Sequence, residues 1–210
     1  REGDLLGALA AYPTNRAPGS AAERLFLAAL RLSAGRATNY DALVSHADAD
    51  HPSALALRFL TAAVRMETLE GALTATNASQ WLGLSYYRQS QRDLNGALAA
   101  ARKSVARSTN FGFGWARVAE LEFSFGRVPA AERALNRALE LAPRNAQAQA
   151  LRGFLQLARG RGAEAEAAFA RAMDIDPMLA NAWLGRGLGR IRAGRESEGR
   201  GDLQTAALLE

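Results

Sequence analysis

Two stretches decide the fold: GRVPAAERALNRALELAPRN at 126–145 and GRGAEAEAAFARAMDIDPML at 160–179. Laid over one another at a step of 34 residues, they align Gly126 with Gly160, Ala131 with Ala165, Leu135 with Phe169, Ala138 with Ala172 and Pro143 with Pro177. The same step runs outward in both directions. Trp81, Trp115, Gln149 and Trp183 form one column, so all three tryptophans of the chain stand on it. Ala97 and Gly199 extend the Ala131 column, Ala101 and Leu203 the Leu135 column, Ser104 and Ala206 the Ala138 column, and Gly194 the glycine column.

Each column has a physical reading. Within a repeat the apolar positions recur at three- and four-residue spacing, which gathers them on one stripe of a helix. Gly126, Gly160 and Gly194 stand where a first helix must stop, since glycine takes the left-handed cap conformation without a Cβ penalty. Pro143 and Pro177 end a second helix, because proline lacks an N–H and disfavours helix in the residue before it. Small residues at Ala97, Ala131 and Ala165 let the second helix approach the first. Each pair keeps an apolar flank that only another pair can bury, so the pairs must stack.

The columns resemble the tetratricopeptide repeat (TPR) family, whose pattern places Trp, Leu, a small residue and Tyr on a first helix and Ala, an aromatic, Ala and Pro on a second. The resemblance covers 78–210, as repeats 78–111, 112–145, 146–179 and 180–210. It implies an all-α fold, an α-α superhelix built as a right-handed solenoid of antiparallel helix pairs. Two columns depart from the pattern. The Tyr column holds Arg88, Glu122, Gln156 and Arg190, and the Leu column holds Arg152 and Arg186 in the last two repeats. The stems of those arginines are expected to pack while their charged heads reach water.

The resemblance also implies a concave groove lined by the first helices. Repeat position 9 gives Tyr86, Glu120, Phe154 and Leu188, and the neighbouring groove positions give Phe113, Arg117 and Asn181. The expected ligand-contacting set is Tyr86, Phe113, Arg117, Glu120, Phe154, Asn181 and Arg192, an apolar and aromatic strip with Arg117, Glu120 and Arg192 as polar anchors. Such a strip suits an extended or helical peptide segment. The Lys and Asn pattern of carboxylate-clamp members is absent. Phe113, Phe123, Leu157 and Ile191 are alternatively read as core.

Upstream the period weakens. Gly35 and Pro52 are 17 apart, as are Gly126 and Pro143, which makes 21–54 a degenerate repeat. Residues 3–12, GDLLGALAAY, read as the second helix of a half repeat, and a longer helix is expected from about Ser53, followed by a polar loop at 74–77. The segment 1–77 is thus an irregular helical stretch continuous with the array. A start without Met and an apolar end at LLE suggest a piece excised from a longer protein.

At 210 residues and 22.4 kDa, with 49% hydrophobic and 22% charged residues, the chain has the composition of an ordered protein. The absence of cysteine excludes disulfides, thiolate metal sites and cysteine nucleophiles. A net charge of +5 and pI near 10.3 raise the question of nucleic acid. Only 78–111 is a basic patch, with Arg88, Arg92, Arg102, Lys103 and Arg107 against Asp93, and no aromatics interleave with its cations.

His46 and His51, with Asp48 and Asp50 between them, have metal-ligand residue types. In register they fall on the last turn of a second helix, where alternate side chains diverge, so no metal site is expected. The WLGRGLGR run from 183 lacks the preceding strand of a phosphate loop. Glu164/Glu166 and Glu196/Glu198 are two apart on helices and face different sides. No catalytic residue and no cofactor is expected.

The sequence reading is therefore a non-enzymatic scaffold binding a protein or peptide segment, or an adjacent domain of the same chain, in its groove. Its alternatives are a recognition arm of an enzyme lying outside these residues and a nucleic-acid binder acting through 78–111. End-to-end self-association is compatible with the apolar carboxyl end. Cytoplasm and periplasm are both open as locations.

Overall fold

The computed structural model describes residues 2–13, 15–33, 51–71 and 73–209. Eleven helices occur among the described residues: α1 Leu5–Ala10, α2 Ala21–Ser33, α3 Ala54–Arg65, α4 Ala78–Ser90, α5 Leu94–Arg107, α6 Gly112–Ser124, α7 Val128–Leu141, α8 Ala146–Ala158, α9 Gly162–Ile175, α10 Ala180–Arg192 and α11 Glu196–Leu209. First helices α4, α6, α8 and α10 begin at 34-residue steps. Among the described residues there is no strand, and no helix is long and apolar enough to cross a membrane. The middle of the degenerate repeat, with Gly35, His46, Asp48 and Asp50, lies outside the described residues.

The chain divides into two compact units, 5–117 and 1–4 with 118–210, and the division falls inside α6 between Arg117 and Val118. The 34-residue period becomes regular at 77/78. That boundary is bridged by packing, since α3 packs on α4 and the Gln80 amide donates to the Pro52 carbonyl at 2.7 Å.

In the unit 5–117, α1 packs on α2, α2 on α3, α3 on α4 and α4 on α5. Leu25, Ala28, Ala54 and Leu57 form one core cluster, and Phe59, Ala75, Leu84 and Ala100 a second. The helix expected from about Ser53 is twelve residues long and stops at Arg65. Met66 turns left-handed there, at φ 56°, and its N–H bonds back to the last turn. A capping box starts α4: Asn77 accepts from the Gln80 N–H while the Gln80 side chain accepts from the Asn77 N–H.

In the unit holding 118–210, α7 packs on α8, α8 on α9, α9 on α10 and α10 on α11. Phe169, 1% exposed, is its largest core side chain. Its ring lies against Gly153 and Gly185, where a Cβ would collide with it, and Phe154 meets it edge-on at 5.1 Å. Residues 2–4 belong to this unit. The Arg144 N–H donates to the Glu2 carbonyl at 2.7 Å, and the Arg144 guanidinium donates to Asp4 Oδ2 at 2.8 and 3.0 Å.

The tryptophan column does the same job in successive repeats. Trp115 Nε1–H donates to the Thr109 carbonyl at 2.9 Å and Trp183 Nε1–H to the Pro177 carbonyl at 2.8 Å, each reaching six residues back to the loop before its helix. Gln149, the one non-aromatic member, donates through Nε2–H to the Pro143 carbonyl at 3.0 Å. Trp81 differs: its Nε1–H is buried with no acceptor, and the Lys103 ammonium sits 4.4 Å from the ring centroid.

The arginines of the Leu and Tyr columns in the last repeat do not reach water as expected. Arg186 donates to both oxygens of Asp202, at 2.9 and 2.7 Å, and Arg190 donates to Asp202 at 3.0 Å and to Glu166 at 2.9 Å. The cause is a matched change on the facing helix: Asp202 stands where the other repeats bury Ala100, Ala134 and Ala168, and it is itself 5% exposed. A charge introduced on α10 thus meets a countercharge on α11. The two helices also come unusually close, since a Cβ on Gly187 would lie 2.8 Å from the Gly199 carbonyl. Arg152, the other arginine of the Leu column, is half-buried beside Asn136, and burial with the neighbouring Arg171 lowers its pKa.

Candidate functional site

The ninth positions of the repeats stand apart from every other apolar column. Tyr86 is 38% and Leu188 47% exposed, Phe154 is partly buried and Glu120 exposed. The residues one position away, Ser85, Ala119, Gly153 and Gly187, are buried in all four repeats. Helix periodicity turns Tyr86, Glu120 and Leu188 outward while their neighbours pack, and Phe154 lies edge-on against Phe169.

Other members of the expected set are held differently. Arg117 is 1% exposed: its Nε–H donates to Ser85 Oγ at 3.0 Å, and its Nη2–H groups reach the Ser85 carbonyl at 3.3 Å and Gln89 Oε1. Its guanidinium carbon lies 4.0 Å from the Tyr86 ring centroid. In the structure Arg117 fixes the Tyr86 ring from behind. The Ser85 hydroxyl that receives it went unnoticed in the sequence; its signal is a polar atom in a column otherwise Ala or Gly. Phe113 is partly buried, 6.3 Å from the Phe111 ring. Asn181 is exposed, and so is Arg192, which donates to the Leu157 carbonyl at 3.3 Å.

The basic patch of 78–111 is partly engaged within the chain. Arg88 pairs with Asp93 at 2.9 Å, and Lys103 lies over Trp81. His51 Nδ1 accepts the Ser53 N–H at 3.2 Å beside the start of α3.

A second feature lies between α8, α9 and α10, a cavity of about 190 Å³. Phe169, Leu157 and Ala165 form its apolar side, and Arg186, Arg190, Arg195 and Glu166 its polar side. Hydrogen bonds from Arg195, assisted by Arg190 and outweighing some desolvation, hold the Glu166 carboxyl down to about 2.

A chain of the APC/C hetero-tetramer Cut9–Hcn1 superposes at a TM-score of 0.70, covering 90% of this chain and 38% of that one at 14% identity. The fold is that of the tetratricopeptide repeat. A thermophilic TPR protein of Thermus thermophilus superposes at 0.58, covering 90% and 91% of the two chains at 18% identity. MamA does so at 0.52, covering 63% and 78% at 22% identity. No family model and no curated protein matches the sequence.

Proposed function

We propose that the chain is a non-catalytic interaction scaffold whose first helices bind a peptide or protein segment. The observation carrying this reading is the ninth column, apolar in three of four repeats yet left exposed at Tyr86 and Leu188. A side chain that stays apolar and outward at a recurring position suits contact with a partner, and aromatic residues supply much of the energy of such contacts. The Cut9 neighbour, which forms a hetero-tetramer with Hcn1, gives further support. On the unit containing 118–210 the proposed strip is Glu120, Phe154, Leu188 and Asn181, with Arg192 at its edge. Tyr86, backed by Arg117, is the proposed contact on the other unit.

The test is retention of partners by the whole chain beside a variant carrying Tyr86→Ala, Glu120→Arg and Leu188→Asp, three exposed positions whose exchange leaves the core intact. A protein retained by the first and lost by the second, at equal helicity, supports the reading. Retention indifferent to the three changes, or none at all, removes it.

A further inference from the structure

Among the described residues, Gly3, Gly71, Gly126, Gly160 and Gly194 hold a left-handed backbone, and the last four have nothing within 4 Å of the place a Cβ would take. Gly3 differs. At φ 89°, its Cβ would stand 2.9 Å from Ala142 Cβ, 3.0 Å from the Asn145 nitrogen and 3.1 Å from Asn145 Cβ. Conformation favours glycine at all of these positions, but at Gly3 the close approach of the turn between α7 and α8 requires it a second time.

The residues on either side of Gly3 are held by the same turn. The Arg144 backbone N–H donates to the Glu2 carbonyl at 2.7 Å, and the Arg144 Nε–H and Nη2–H groups donate to Asp4 Oδ2 at 3.0 and 2.8 Å. The turn is itself well braced: Asn145 accepts the Ala148 N–H, the Gln149 side chain donates to the Pro143 carbonyl, and Ala142 and Asn145 are buried. Partners 140 residues apart in sequence thus meet through a backbone bond, a fitted glycine and an ion pair. Each contact reads a different property of the segment: a free carbonyl, the lack of a side chain, and a carboxylate one residue further on.

We propose that the α7–α8 turn is a docking point that reads glycine followed by aspartate, and that its occupant is this chain's own Glu2–Gly3–Asp4 segment, held as a latch. The latch can open, because the Arg144 side chain is 48% exposed. An exposed ion pair shifts an equilibrium by only about 1.5- to 5-fold, and salt screens it. While closed, the latch occupies Arg144, so a carboxylate of another protein reaches that guanidinium only by displacing Asp4. No residue of the latch belongs to the first-helix strip, and the proposal does not depend on the scaffold reading.

The test follows solvent exchange at the backbone amide of residue 144 in the whole chain by NMR, as protection relative to the intrinsic rate, with the α8 amides as the measure of folding. Asp4→Ala and Arg144→Ala should each lower protection by about 1.5- to 5-fold. The double variant should lower it no further, since both changes remove the same pair. Gly3→Ala should lower it more than either, having lost the fit as well as the backbone conformation. Raising sodium chloride from about 0.05 to about 0.5 M should reduce protection in the native chain and leave Asp4→Ala unaffected. If Gly3→Ala disturbs α8, the Asp4 and Arg144 cycle decides alone. Unchanged protection in a folded Gly3→Ala, additive losses in the double variant, or the same salt dependence with and without Asp4 would overturn the proposal.

Discussion

Arg92 holds the left-handed backbone conformation, φ 63°, at the place where the next three repeats use Gly126, Gly160 and Gly194 at φ 71°, 73° and 80°. A residue with a Cβ is strained there by about 1–2 kcal/mol, partly offset because glycine loses more freedom on folding. Arg92→Gly should therefore stabilise by about 0.5–1 kcal/mol, read as a rise in the denaturation midpoint at unchanged slope. The tryptophan column supplies a second comparison. Trp115→Phe removes the bond to Thr109, whereas Trp81→Phe removes a buried N–H that has no acceptor, so the first should cost about 1 kcal/mol more than the second. The periodic columns, including the left-handed glycines, were readable because they follow from local helix geometry. Arg117 was not: its acceptors at Ser85 and Gln89 are 32 and 28 residues away, and an arginine at a groove position reads as solvent-facing until the fold brings them to it.

At the level of helices, the seam between α10 and α11 is ionic at the position where the earlier pairs bury Ala100, Ala134 and Ala168. Asp202→Ala leaves Arg186 without its main countercharge in a mostly buried place and should destabilise by about 3 kcal/mol in equilibrium unfolding. Pairing it with Arg186→Leu gives the Leu84 and Ala100 residue types of the first repeat, and the double variant should be clearly more stable than the single one. Arg186 and Asp202 were each visible as departures, but only their joint reading as a Leu-to-Arg change facing an Ala-to-Asp change explains them. Acid should act on the same neighbourhood. Glu166 titrates near 2 in the fold against an ordinary value of 4.5, so its contribution is complete above about 4.5 and is lost as pH falls from there towards 2. Glu166→Gln should flatten the pH dependence of stability across that window. Which helices form was thus legible from spacing; which charges are buried depended on pairs of columns facing across helices.

For the molecule as a whole, stacking of like pairs predicts graded behaviour. A chain ending after residue 179 loses α10 and α11 and uncovers the Gly185 side of Phe169. It should remain helical and unfold at a lower denaturant midpoint, because neighbour contacts add nearly repeat by repeat; complete loss of helicity would show that the pairs fold only together. The ionic seam of the final pair also has a thermal meaning. Drying charged groups becomes less costly on warming, while the gain from burying apolar surface levels off. The α10–α11 pair is therefore held in part by the kind of contact that heat weakens least.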